Sequence, residues 1–316
     1  MTFGFPMQLV SKLCCPSDGA VLELGQNCQL SEDGGLVRHG TLRCSSCKTT
    51  FALDDGILNM LNDIALDDES RHEKQLRNEN ALGSMKATGS AWWENEHNSM
   101  EMIPTLEELS ISQEKTILEL GCGDGRYTVL LTGQCQWILA VDFAIEALRI
   151  LQRRLQKTRN VGLVLGDATT MTLRAAGFDR VLATLVSNLP TREHRNAIYY
   201  LAASALRPNG RLVFSTHNHG FRQRLNGETK SGRYAHGGIY RYNFTVSECK
   251  AEVRPYFQAI KARPIQVYFP FGRTLGLPLV ALSRFLERVP LINGLGELIL
   301  CTAEQPIRAD PRVENA

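Results

Sequence analysis

From Thr116 onward the chain alternates short apolar runs with amphipathic stretches. Ile117 to Leu120, Trp137 to Val141, Gly162 to Leu165, Arg180 to Leu185, Arg211 to Ser215, Ile265 to Phe271 and Leu298 to Cys301 read as strands. Between them, Ala144 to Gln156 sets Ile145, Leu148, Leu151 and Leu155 on one face, and Arg192 to Leu206 stops before Pro208-Asn209-Gly210, so both read as helices. Such alternation predicts an α/β fold built on a mostly parallel sheet covered on both faces. Ahead of it, Leu9 to Leu61 consists of short apolar stretches broken by glycine and cysteine, which predicts a small β-rich module. Asp63 to Leu82 is dense in both charges and predicts a solvated helix or linker. Ala91 to Leu109 carries apolar residues at partly helical spacing and is expected to pack on the α/β domain. The expected division is 1–62 for the module, 63–110 for the linker and first helices, 111–305 for the α/β domain and 306–316 for a flexible tail.

Composition narrows the class. With 43% hydrophobic and 22% charged residues in 316, the chain can bury a core without disulfides. A net charge of +2 excludes the electrostatic footprint of a dedicated nucleic-acid binder. Met1 to Val10 lacks a secretory pattern and no run of about 18 apolar residues occurs, so a cytoplasmic protein without integral membrane association is expected. Of nine cysteines, Cys14, Cys15, Cys28, Cys44 and Cys47 crowd the first fifth, which in a cytoplasmic chain suggests metal over disulfides.

The candidate chemistry begins directly after the first α/β strand. Gly121, Gly123 and Gly125 stand where missing side chains let backbone turn sharply and approach a ligand. A dinucleotide site wants Gly-x-Gly-x-x-Gly, and Arg126 occupies the place of the last glycine. Asp142 and Asp167 close the next two strands. A carboxylate at such a place can accept hydrogen bonds from ribose hydroxyls or an adenine amino group, although either aspartate alone also fits a turn or helix cap.

Leu118-Glu119-Leu120-Gly121-Cys122-Gly123-Asp124-Gly125, Ala140-Val141-Asp142, Gly166-Asp167-Ala168, Phe178-Asp179-Arg180-Val181 and Leu206-Arg207-Pro208-Asn209-Gly210-Arg211-Leu212 together resemble the class I S-adenosylmethionine (SAM)-dependent methyltransferases. The branch most similar is that of ubiquinone and menaquinone biosynthesis, and the resemblance covers about Thr116 to Glu304. It implies a Rossmann-like sheet of seven strands, the last antiparallel. It also implies that Glu119 and the three glycines, with Cys122 and Asp124 in the same loop, surround the methionine part of SAM. Asp142 would hold the ribose beside Phe143, and Asp167 with Ala168 would flank the adenine. Ser187-Asn188-Leu189 stands where many relatives carry a histidine near substrate.

In the module, Cys44-Ser45-Ser46-Cys47 is a plausible half of a zinc ribbon. The other half has Asp18 where a second Cys-x-x-Cys needs cysteine. Because zinc accepts carboxylate oxygen, Cys15, Asp18, Cys44 and Cys47 can form a tetrahedral structural site, with Cys14, Cys28 or His39 as substitutes and a metal-free ribbon as the alternative. The pattern, continued into Phe51-Ala52-Leu53-Asp54-Asp55-Gly56-Ile57-Leu58, resembles the small zinc-ribbon activator proteins of RNA and protein methyltransferases, and ribbons fused to some ribosomal RNA methyltransferases.

For the acceptor, methyl transfer from a sulfonium needs mainly alignment and exclusion of water. If a base is used, His217 and His219 are the first candidates, since Leu212 to Thr216 should deliver them to the cofactor edge of the sheet; loop histidines without chemistry are the alternative. Tyr234, His236 and Tyr240 lie in a glycine-broken segment suited to a flap, Trp92, Trp93 and His97 suit an opposite wall, and Asn188 follows the fourth strand. Structural packing is the alternative for each of these aromatic residues. Arg149, Arg153, Arg154, Lys157 and Arg159 read as a solvated helix face. The reading is therefore a methyltransferase acting on a small molecule that is quinone-like, lipid-like or a secondary metabolite. Its alternatives are an rRNA or tRNA base methyltransferase and a non-catalytic SAM-binding adaptor.

Overall fold

The structure is a computed structural model that describes residues 3–64, 66–87, 95–233, 238–269, 272, 274–290 and 292–307. Its first part contains β1 (Phe5–Pro6), α1 (Met7–Val10), β2 (Leu22–Leu24), β3 (Gln29–Leu30), β4 (Leu36–Cys44), β5 (Thr50–Asp54) and β6 (Ile57–Asn59). The long β4 takes β1, β2, β3 and β5 as antiparallel partners. β5 returns to β6 through Asp55 and Gly56, whose φ values of 48° and 79° give the two-residue hairpin turn that Asp-Gly favours.

Two helices follow, α2 (Asp68–Ala87) and α3 (Glu96–Leu109), then β7 (Thr116–Leu120), α4 (Thr128–Leu131), β8 (Trp137–Asp142), α5 (Ile145–Arg154), β9 (Val161–Leu165), β10 (Phe178–Thr184), α6 (Arg192–Ala205) and β11 (Leu206–Asn218). The chain continues through α7 (Phe221–Leu225), β12 (Ser231–Arg233), β13 (Tyr240–Phe244), α8 (Val246–Val253), β14 (Phe257–Ile265), α9 (Leu279–Leu286) and β15 (Leu298–Pro306). The sheet runs β9-β8-β7-β10-β11, all parallel, with β15 antiparallel on β11 and β14 beyond it. Strand order reverses between β7 and β10, so a crevice opens beyond their carboxyl ends. β7 and β9 are buried at every position, as strands covered on both faces must be.

At the other edge β6 pairs in parallel with β9, Ile57 opposite Leu163, so the N-terminal strands extend the same sheet. Met60 N–H donates to Leu165 O at 2.8 Å, and Gln152 of α5 donates to Asp55 O. Phe5 and Leu9, both fully buried, fill the space over Gly162, where a Cβ would meet their side chains at 2.8 and 2.9 Å. Burying two such side chains stabilises the junction by roughly 1.5–3 kcal/mol each.

Two expectations differ from the fold. The strand expected over 265–271 lies earlier, at Phe257–Ile265, because Gln266 takes φ 62° and breaks the extended run. The charged stretch expected as a solvated helix or linker is a largely exposed helix, α2, but differs in that it also roofs the crevice: Asn78 Oδ1 accepts the Glu146 N–H at 2.9 Å, Ala81 packs with Ala144 and Ala147, and Glu73 is buried.

Candidate active site

The turn after β7 is drawn tight by Gly121 N–H and Cys122 N–H, which both donate to Val141 O at 2.8 and 3.1 Å. Only glycine fits two of its places. Gly121 has φ +67° and a Cβ there would lie 2.3 Å from Val186, while Gly125 has φ +92° and its Cβ would lie 2.2 Å from Leu151. The turn, the strand ends and α2 enclose a cavity of about 430 Å³. Among the residues expected at the cofactor, Glu119, Gly121, Cys122, Gly123, Asp124, Asp142, Phe143, Asp167 and Ala168 all line it; Gly125 lies behind the wall against α5.

The acids of this half are held by hydrogen bonds and not by cations. Asp142 is buried and accepts Gly123 N–H at 2.8 Å on one oxygen and Ala144 N–H at 2.9 Å on the other; burial pushes its pKa up while those donors pull it down. Asp167 accepts the Thr169 N–H and hydroxyl, each at 2.8 Å, and so also shapes its own turn. Glu119 accepts the Thr128 hydroxyl at 2.7 Å, and burial raises its pKa to about 8. Asp124 is the exception, with Arg154 at 3.1 Å. Arg126, which served in the sequence only to exclude a dinucleotide spacing, lines the cavity and pairs at 2.8 Å with the buried Glu101 of α3. Ser215 of β11 donates to that same carboxylate at 2.6 Å. Only the fold could join these three.

The opposite half is built from Leu185, Val186, Asn188, Leu189 and Pro190 after β10, His194 and Ile198 of α6, Ile239 and Tyr240 at the start of β13, and Glu69 and Glu73 of α2. Leu185 takes φ 56°, which costs a non-glycine residue roughly 1–3 kcal/mol. Its N–H bonds to Ser215 O at 2.9 Å, and Asn188 donates to its carbonyl at 3.1 Å while accepting the Thr216 hydroxyl at 2.9 Å. The buried Arg195 donates to Leu189 O at 2.9 Å and Pro190 O at 3.2 Å, is paired with Glu252 at 2.7 Å, and lies 4.1 Å over the Tyr242 ring. Thus one guanidinium fixes both the loop and β13. Across the roof, Glu73 accepts Arg77 at 2.9 Å and Tyr240 N–H at 3.3 Å, and Glu69 pairs with Arg233.

Of the residues expected at the acceptor, Asn188 and Tyr240 line the cavity. His97 starts α3 with its Nε2 3.9 Å from Glu297, away from the wall. Trp92, Trp93, Tyr234 and His236 lie outside the described residues. His217 and His219 do not reach the cavity wall. The physical reason is that β11 runs on to Asn218, with His217 opposite both Asn243 of β13 and Leu298 of β15, instead of ending before them. Burial, then Arg241 and Arg77, hold His217 neutral with a pKa of about 3. The His219 Nδ1 is buried without a hydrogen-bond partner among the described residues.

In the N-terminal part, the ligand atoms of Cys15, Asp18, Cys44 and Cys47 all lie within 4.8 Å of one another. Cys15 and Cys47 sulfurs are 3.6 Å apart, and Cys44 Sγ lies 3.4 Å from both Asp18 oxygens. A tetrahedral zinc with bonds of about 2.3 Å spaces its sulfur ligands about 3.8 Å apart, so the three thiols and one carboxylate fit that ion. Cys47 N–H and Ala20 N–H also hold Asp18 in place, at 3.2 and 3.0 Å. The substitutes are elsewhere: Cys28 faces Thr41 O, His39 pairs with Asp54 at 2.8 Å, and Cys14 bridges Val21 through its backbone.

Comparison with known proteins agrees with this geometry. Residues 117–210 match the family model of a methyltransferase domain. The chain is 34% identical over 115 residues to a demethylmenaquinone methyltransferase of Mycolicibacterium vanbaalenii, covering 35% of this chain and 47% of that protein. It is 35% identical over 105 residues to a malonyl-[acyl-carrier protein] O-methyltransferase of Methylococcus capsulatus, covering 32% and 36%. The chain thus spans less than half the length of the curated relatives it matches. In fold it is similar to phosphoethanolamine N-methyltransferase 1 of Haemonchus contortus, solved with phosphoethanolamine and S-adenosylhomocysteine (TM-score 0.52, 15% identity, 78% of this chain and 51% of that one). A chain from the complex of the Haloferax volcanii Trm112 methyltransferase activator with a methyltransferase is also similar (TM-score 0.52, 13% identity, 76% and 99%). Residues 117–210 thus carry a methyltransferase domain, set in a mixed α/β methyltransferase fold.

Proposed function

We propose that this chain is a SAM-dependent methyltransferase that transfers a methyl group to a small-molecule acceptor. The observation that carries this reading is the convergence of Glu119, Asp142 and Asp167, from three successive parallel strands, on one cavity beside a glycine turn. SAM supplies a methyl group already activated on a sulfonium, so the protein's work is to bind, align and exclude water. Glu119 with the glycine turn would hold the methionine part, Asp142 and Phe143 the ribose, and Asp167 and Ala168 the adenine. Asn188 and Tyr240 would face the acceptor. We assign a structural zinc to Cys15, Asp18, Cys44 and Cys47, and place the module and catalytic domain at 1–62 and 111–305.

A small acceptor is supported by the names of two curated relatives, a demethylmenaquinone methyltransferase and a phosphoethanolamine N-methyltransferase. RNA is disfavoured because the basic helix face is neutralised locally: Arg149 pairs with Glu146, Arg154 with Asp124 and Arg159 with Asp33. No described helix is long and apolar enough to cross a membrane. The test is incubation with methyl-labelled SAM and separated metabolite, protein and RNA fractions. Label in metabolites is expected; label confined to RNA would overturn the acceptor class, and tight SAM binding without turnover would make the chain an adaptor. Metal analysis should find one zinc per chain, lost in Cys44→Ser.

A further inference from the structure

The half of the cavity proposed for the acceptor contains a histidine that no sequence motif marks. His194 lines the wall from the first turn of α6, and its Nε2 lies 3.5 Å from Asp67 Oδ2. Both partners are fixed by helix starts. Thr191 caps α6 by accepting the His194 N–H at 3.2 Å, while Asp67 Oδ1 accepts Ser70 N–H at 2.7 Å at the start of α2. One carboxylate oxygen thus serves the helix start, and the other lies at ion-pair distance from the imidazole. Their side chains are 26% and 49% exposed, so the pair stands at the mouth, where an acceptor enters.

Resting on the methyltransferase reading above, we infer that His194, oriented by Asp67, is the catalytic base that receives the proton of a neutral O–H or N–H acceptor. A carboxylate at 3.5 Å from Nε2 favours the ring proton there, which would leave the Nδ1 lone pair as the accepting atom. The acceptor's X–H proton passes to Nδ1, its freed electron pair forms the X–CH3 bond, and the C–S pair stays on sulfur. Asp67 stabilises the resulting imidazolium, which later loses its proton to water. The acceptor enters uncharged because the other charges of this half are already paired, Glu69 with Arg233 and Glu73 with Arg77. Leu189, Pro190, Ile198 and Ile239 supply an apolar wall. The charged groups around the pair are Arg71, whose field reaches Asp67, and Glu69 and Glu73, which line the same cavity.

The experiment compares wild type, His194→Gln and Asp67→Asn in three readouts: SAM affinity by calorimetry, nitrogen-15 spectra of the His194 ring, and labelled transfer to metabolites across pH. Asn keeps the helix cap, so Asp67→Asn isolates the contact to the ring. SAM affinity should stay within about threefold in all. The wild-type ring should carry its proton on Nε2, and Asp67→Asn should mix the two tautomers. Transfer should fall about 100-fold in His194→Gln, with loss of the acidic limb of its pH profile, and about tenfold in Asp67→Asn. Wild-type rates in His194→Gln, or an unchanged tautomer in Asp67→Asn, would overturn the inference alone. Absence of label with wild-type protein would overturn the methyltransferase reading, and the inference with it.

Discussion

The two halves of the cavity treat charge in opposite ways. On the cofactor side, Glu119, Asp142 and Asp167 have hydroxyl or backbone donors and no ion-pair partner among the described residues. On the side proposed for the acceptor, Glu69 and Glu73 each pair with an arginine. Acids without a cationic partner suit a ligand that brings its own positive charge and hydroxyls. A self-neutralised wall suits a ligand chosen by shape and apolar contact. Under the proposed function, the donor would be recognised electrostatically and the acceptor sterically, an arrangement that would let one scaffold keep its donor while its acceptor changes.

The largest expected effect breaks the acceptor half alone. Arg195→Ala leaves Glu252 buried without its partner and frees Leu189 and Pro190, so chemical denaturation should show a loss of about 3–5 kcal/mol. SAM affinity of the folded protein should stay within about threefold by calorimetry. An equal loss of SAM binding would mean that the halves are not separable.

How far each half could be read in advance depends on how it is assembled. The cofactor half comes from contiguous strand–turn motifs, so Glu119, Asp142 and Asp167 were legible once the apolar runs before them were recognised. The acceptor half joins α2, the 185–190 loop, α6 and β13, and no local pattern links them. Glu73 reads as one charge among many, and its burial depends on Tyr240, 167 positions later. Likewise Phe257–Ile265 is an edge strand with mixed burial, which hid its periodicity, while the apolar run after it leaves the sheet. The pairing of β6 with β9 left no signal beyond the short apolar stretch Ile57-Leu58. The grouping of Cys15, Asp18, Cys44 and Cys47 was readable because they sit in two tight turns.

A smaller effect sharpens the cofactor side. Glu119 has its pKa raised to about 8 by burial, so the ligand-free fold holds its proton more tightly than the unfolded chain does. Its stability contribution is therefore full below about pH 4.5 and is lost as pH rises through 8. A cation bound beside it favours the ionised form, so SAM binding at pH 7 should release a proton. Affinity should rise by up to about tenfold per pH unit until near 8, and calorimetry in buffers of different ionisation heat should show the release. In Glu119→Gln that release should vanish.

The smallest effect lies at the roof. Glu69→Gln removes a partly exposed ion pair with Arg233, worth about 0–1 kcal/mol, so melting should move by no more than a few degrees and SAM affinity by less than about threefold. A large loss of SAM binding would place this residue on the cofactor side of the division.

The most direct measurement is titration of SAM, with NAD as control, into wild type and Asp142→Ala. One SAM per chain, no NAD binding and about 100-fold weaker SAM binding in the variant are predicted, since the variant loses a charged acceptor that also orients Gly123. Equal SAM affinity in the two proteins, or displacement of SAM by NAD, would contradict the assignment of the cavity.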